Sequence, residues 1–265
     1  MQQLELIPLN NVIKKSNDFV RNKLKFSNVI AGRVLASFAS LIKVDDDDFY
    51  QYYISANNVL LNIGGKDYKE LKEACDVLLT AIIEKKLNSK GGFQKYTLFS
   101  TIGYENGLIF ASFHPDLKPF FLNLKSHFTQ YNLSEFLILP SFYSQRLFEI
   151  LKSWESCSEV IIPLHELHTM LNPPISYKLN FKEFRRWVLE KAYKDINEKT
   201  SLSYEWEAIK TKNKVTAVSF IFSKGKKLQY ANKKSKELTD KFIQSQARPG
   251  ESWDEARARL SNITT

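Results

Sequence analysis

FKEFRRWVLEKAYKDINEKTSLSYEWEAIKTKNKVTAVSFIF, residues 181–222, decides how the rest of this chain is read. On a helical wheel Phe181, Phe184, Val188, Leu189, Ala192 and Ile196 gather on one side. Lys182, Arg186, Glu190, Tyr193 and Asn197 fall on the other, and Arg185 stands at the edge of the apolar side on the first turn. Past the helix, Leu202, Tyr204 and Trp206 alternate with Ser203, Glu205 and Glu207, which is the period of a strand. KTKNK at 210–214 makes a turn, and VTAVSFIF at 215–222 returns. A helix with cations at its start followed by a basic hairpin is what a winged helix offers to DNA. An amphipathic helix whose charges are merely solvated has the same wheel, so the pattern alone leaves both readings open.

The charge balance narrows the choice. The chain has 265 residues, 43% hydrophobic and 13% aromatic, enough for one large domain or two of ordinary size. Its net charge is +9. Residues 178–236 hold 16 Lys or Arg against 6 Asp or Glu, so this one stretch carries the whole positive excess. Polyanions are the natural partners of such a patch, through phosphate neutralisation and counterion release. An anionic membrane surface or an acidic protein are the alternatives. No apolar run approaches the ~20 residues that span a bilayer. Residues 1–15, MQQLELIPLNNVIKK, lack a basic segment followed by an apolar one, so a cytoplasmic protein is expected. Cys75 and Cys157 lack metal-site spacing and fall on helical segments, where buried free thiols are expected.

Ahead of the opening stretch, Ser16, Asn17 and Asp18 form a helix-capping cluster, and Asn28 caps a helix running through VLASFASLI at 34–42. The nearly uncharged run at 34–44 reads as a core helix, a subunit interface, or a segment able to convert to β-structure when exposed. Asp45, Asp46, Asp47 and Asp48 lack the spacing and glycine of a calcium loop and read as a solvated loop. FYQYYI at 49–54 reads as a strand, with a short helix from Ser55 or Asn57 to the turn at Gly64-Gly65. Asp67 is expected to cap a helix from Tyr68 to about Lys86, with Tyr68, Leu71, Cys75, Leu78, Leu79, Ile82 and Ile83 buried, Lys69 and Glu73 facing outward and Lys72 near the edge of the stripe. Strands at 96–102 and 108–113 flank Asn106-Gly107, a strong hairpin signal. Residues 115–124 read as a short helix, 141–154 as a longer one, LHELHTML at 164–171 as another, and 236–246 as a last helix. Ser252 with Glu255 makes a capping box in the tail.

YKELKEA at 68–74 and FKEFRRW at 181–187 match in kind at five positions, 113 residues apart. A hairpin follows each helix, the first after a longer connection. The fold expected is therefore α+β, with two tandem winged-helix domains related by an internal pseudo-repeat. An N-terminal domain would span 1–130, a C-terminal domain 131–246 and a tail 247–265. The positive charge is concentrated in the second copy.

Enzyme chemistry finds little footing. His165 and His168 are three apart rather than four, so they do not form the zinc-protease helix, and helix-surface histidines are expected. There is no phosphate-binding GxxxxGK[ST] loop and no GxSxG nucleophile elbow. A nicking relaxase needs two histidines on a strand and a tyrosine on a helix, and His114, His127, His165 and His168 do not supply the pair. No catalytic group, metal or cofactor is expected.

Several segments taken in order resemble one family. NVIKKSNDFV at 11–20, YKELKEA at 68–74, FTQY at 128–131, residues 181–197 with the hairpin after them, and ARPGESWDEAR at 247–257 are similar to the replication initiators of bacterial iteron plasmids, the RepB/Rep_3 family. The resemblance covers nearly the whole chain. One departure is Ala31-Gly32-Arg33, where the family usually has an acidic residue before the arginine. The resemblance implies two winged-helix domains. It implies that the second reads origin repeats (iterons) in the major groove of double-stranded DNA, and that the first contacts backbone and forms a homodimer. It further implies origin opening by monomers with host DnaA and the replicative helicase, and repression of the protein's own gene by dimers. By the same resemblance, Lys182, Arg185 and Arg186 contact DNA, with Lys182 and Arg186 best placed for base edges. Lys178, Lys212 and Lys214 touch phosphates, the last two from the wing, and Lys69 and Lys72 are the first-domain equivalents. The run at 34–44 matches the family's apolar helix, implicated in association and β-conversion. A winged-helix repressor without a replication role is the alternative, since the same helix and wing would serve it.

Overall fold

Hydroxyl and amide side chains start the first helices. The Ser16 hydroxyl accepts the Phe19 N–H at 3.2 Å, so β1 (Val12–Ser16) turns directly into α1 (Asn17–Arg21). Asn28 Oδ1 accepts the Ala31 N–H at 2.9 Å and opens α2 (Val29–Ala39). The computed structural model describes residues 11–24, 26–43, 45–60, 68–86 and 91–223. The Asp67 cap, the Gly64-Gly65 turn, the helix at 236–246 and the tail with its capping box lie outside them. Residues 30–39 are all buried, so within one chain α2 is a core helix. Gly32 holds the position where the family usually has an acidic residue. A Cβ on it would come within 2.3 Å of Gln145 Oε1, so an acidic side chain would have to displace Gln145.

β2 (Gln51–Ser55) leads into α3 (Ala56–Val59) and then α4 (Tyr68–Thr80). The expected helix to about Lys86 is too long. Ile82 and Ile83, placed in its stripe, belong to β3 (Ile82–Lys86), which pairs with β4 (Phe93–Thr97). Branched Ile82 and Ile83 favour extended backbone, and the partner strand makes that preference decisive. Tyr68 and Leu79, also assigned to the stripe, are exposed. β5 (Phe99–Glu105) and β6 (Leu108–Phe113) form the expected hairpin, and both turn residues are left-handed, Asn106 at φ 50° and Gly107 at φ 83°. A Cβ on Gly107 meets nothing within 4 Å, so only backbone strain opposes one. Gly107→Ala should lower stability by about 1–2 kcal/mol in urea unfolding, and Asn106→Gly should not.

A 3-10 turn (Pro115–Leu117), α5 (Lys118–Phe121), β7 (Phe128–Asn132) and α6 (Leu133–Leu137) precede α7 (Phe142–Lys152). Then come β8 (Glu159–Pro163), α8 (Leu164–Leu171) and α9 (Ile175–Leu179). The opening stretch follows as α10 (Phe181–Phe184), a π turn (Arg185–Leu189) and α11 (Glu190–Lys199) in one continuous helix. β9 (Tyr204–Thr211) and β10 (Lys214–Phe222) complete the described chain. Cys157, expected on a helix, lies in the turn after α7; both thiols are free, and burial followed by Asp76 pushes the Cys75 thiol up to about 11.

Two antiparallel sheets, β2-β6-β5 and β8-β10-β9, have the same topology. Each closes a run of helix, strand, helix, helix and hairpin. In the first half this is α2, β2, α3, α4, β5 and β6; in the second it is α7, β8, α8, the 181–199 helix, β9 and β10. The first copy inserts β3-β4 and the second inserts α9. The pseudo-repeat is thus a repeat of two winged helices.

The halves share a seam rather than a linker. β1 pairs with β7 through Ile13 and Tyr131, so residue 131 lies inside a strand ladder. α7 opens the second repeat yet reaches into the first half. On one side, Glu149 takes Lys15 and Arg146 at 2.7 Å each and the Tyr131 hydroxyl, all four groups being buried. Arg146 Nη2 also donates to the carbonyls of Val20 at 2.9 Å and Asn22 at 3.1 Å. On the other side, the Ser144 hydroxyl donates to Asp195 of α11 at 2.6 Å. Burial alone would raise the Glu149 carboxyl, but Lys15, Arg146 and the hydrogen bonds to it prevail and hold it at about 2.

Candidate nucleic-acid interface

The 181–199 helix is placed by its apolar stripe. Phe184, Val188, Leu189, Ala192 and Ile196 are buried, as their spacing requires. Asn180 caps the start, its Oδ1 accepting the Lys182 N–H at 3.1 Å. That leaves Lys182, Arg185, Arg186, Trp187, Glu190, Lys191, Lys194 and Glu198 exposed.

The π turn alters the reading of Arg185. Glu190 N–H bonds the Arg185 carbonyl, five residues back instead of four. The extra residue in this turn brings the two side chains together. Arg185, expected at the edge of the apolar side, is exposed, and its Nε donates to Glu190 Oε1 at 2.7 Å. Its guanidinium also lies 5.8 Å from the Trp206 ring on β9. Arg186 is held differently, over an aromatic face, 4.8 Å from the Trp187 ring. Trp187, whose Nε1 donates to Glu183 Oε2 at 2.8 Å, and the contact between Arg185 and Glu190 are what the wheel missed. The signal available was an indole directly after two arginines, off the apolar stripe.

The wing carries its cations at the tip. Lys212 is left-handed at φ 57°, Lys214 opens β10 opposite Thr211, and both are exposed with Lys210 beside them. Lys178 is half-buried on α9, where its charge, after burial, helps to lower the His168 pKa. His168 is not the surface histidine expected: its ring packs edge-on 4.6 Å from Phe184. Among the described residues no group of His, Cys, Asp and Glu is arranged to hold a metal ion. No described helix is long and apolar enough to cross a membrane.

In the first copy, Lys69 and Lys72 are exposed on α4, so Lys72 clears the stripe edge where the wheel placed it. The tip of that wing, Glu105-Asn106-Gly107, has no cation. A cationic helix and a cationic wing therefore occur together only in the second copy, among the described residues.

These features define a tandem winged-helix protein with a basic surface on its second unit. A family model described as "Initiator Replication protein, WH1" matches residues 12–152, and one described as "Initiator Rep protein, WH2" matches residues 163–222. The chain belongs to this family of replication initiator proteins. Its fold is similar to that in a crystal structure of the Pi initiator protein in complex with iteron DNA. That likeness has a TM-score of 0.64 at 21% identity, over 81% of this chain and 98% of the other.

Proposed function

We propose that this chain initiates replication of a plasmid by binding repeated origin sequences in duplex DNA through its second winged helix. The observation that carries the reading is the coincidence, on one unit of an initiator-family chain, of the exposed Lys182, Arg185 and Arg186 with the exposed wing residues Lys212 and Lys214. The Pi initiator, similar in fold, was crystallised with iteron DNA. In this reading Lys182 and Arg186 meet base edges, and arginine suits the paired acceptors of guanine. Arg185 must exchange Glu190 for DNA. Lys178, Lys212 and Lys214 neutralise phosphates.

The first unit, with Lys69 and Lys72 exposed on α4 and no cation at its wing tip, adds a weaker backbone contact and forms the homodimer. Dimers repress the protein's own gene, while monomers open the origin with host DnaA and the replicative helicase. The protein acts in the bacterial cytoplasm, bound to nucleic acid and without a cofactor. A replicon deleted for its own initiator tests the replication role. The chain supplied in trans should maintain it, whereas a repressor without a replication role would not.

The wing makes a separate prediction. Lys214→Ala should weaken binding to all duplexes alike and make the slope of log affinity against log salt shallower by about one unit. Titrations across a salt series measure this, and an unchanged slope would remove Lys214 from the phosphate contacts.

A further inference from the structure

Trp187 is an apolar side chain on a surface otherwise made of charges. It is 44% exposed and lies outside the buried stripe, directly after Arg185 and Arg186. The indole is nevertheless fixed. Its Nε1 donates to Glu183 Oε2 at 2.8 Å, one turn back, and the Arg186 guanidinium lies 4.8 Å from its ring. It also sits in the middle of the π turn, a helical irregularity found often at functional sites. With the N–H already engaged by Glu183, the indole has only carbon to offer a ligand.

We propose that Trp187 is a specificity-determining residue that recognises the C5-methyl group of a thymine beside the base pair met by Arg186. The inference rests on the reading of the second winged helix as a duplex binder. In the major groove the thymine methyl is the one apolar group among the donors and acceptors of the base edges, so it is the feature a carbon surface can select. A side chain that is already ordered loses little conformational freedom on contact. Arg186 and Trp187 then act as a unit, the guanidinium reading acceptors and the ring reading the neighbouring methyl.

The test uses the full chain and a duplex that it selects from a random-sequence pool. Each thymine of that duplex is replaced in turn by deoxyuridine, which removes only the methyl group. One position should weaken binding by roughly three- to fivefold, the worth of one buried methyl. In Trp187→Ala the duplex should bind more weakly and be indifferent to uracil at that position. Trp187→Phe, which keeps the ring and loses the N–H, should retain sensitivity to the methyl. A selected duplex with no methyl-sensitive position, or with the same sensitivity in Trp187→Ala, would overturn this inference and leave duplex reading intact. A pool that yields no preferred duplex would overturn the duplex reading and this inference with it.

Discussion

Arg186→Ala should lower affinity for the preferred duplex by roughly five- to 150-fold, about 1–3 kcal/mol, and relax base choice at one position. The expected size follows from how the side chain is held. Arg186 is exposed beside a fixed indole, 4.8 Å from its ring, so its fork of donors is orientated before DNA arrives. Arg185 must first give up a 2.7 Å contact with Glu190, which reduces its net contribution. Affinity for random duplex should fall much less, because a single phosphate contact is a small part of a many-charge interface. Binding of the variant to the preferred and to a scrambled duplex, measured in one buffer, decides the point. An equal fall on both would make Arg186 a phosphate contact.

Glu149→Ala should cost about 3–5 kcal/mol of folding stability. The variant leaves Lys15 and Arg146 buried without their shared carboxylate, and the Tyr131 hydroxyl without its acceptor. The urea midpoint should drop with little change in slope, and a loss below ~1 kcal/mol would mean that the seam relaxes around the missing charge. Wild-type stability should also depend on acid. The Glu149 carboxyl is held at about 2 when folded, against 4.5 as its ordinary value. Its contribution is therefore complete above the ordinary value and is lost as pH falls toward about 2. That contribution is on the order of 3 kcal/mol. Replacing all the charges together by apolar groups of similar volume is a different experiment and need not destabilise, since each buried ion also carries a desolvation penalty.

The parts of the fold legible in the sequence were those with local causes. Asn28 and Ser16 cap as their chemistry requires, and Asn106-Gly107 turns as its left-handed residues require. The stripe from Phe184 to Ile196 is buried because its spacing leaves no other face for it. Long-range pairing was not legible. Ile82 and Ile83 continue the apolar spacing of α4, and only β4, with residues 87–90 between the strands, makes them extended. Nothing local to Lys15 points to its partner, Glu149, 134 positions away. At the candidate interface, the cations of the helix and wing were evident from charge and period. The Glu190 contact with Arg185 was not, because it depends on a five-residue turn that no wheel of constant pitch contains.

Under the proposed function, the second winged helix reads a particular duplex sequence. Equilibrium binding of the full chain to its selected duplex and to a scrambled duplex of the same composition, both near 150 mM salt, tests it most directly. The selected duplex should be preferred by roughly a thousandfold or more. Equal affinity for the two, with the same salt slope, would contradict it and leave only a basic surface attracted to phosphate.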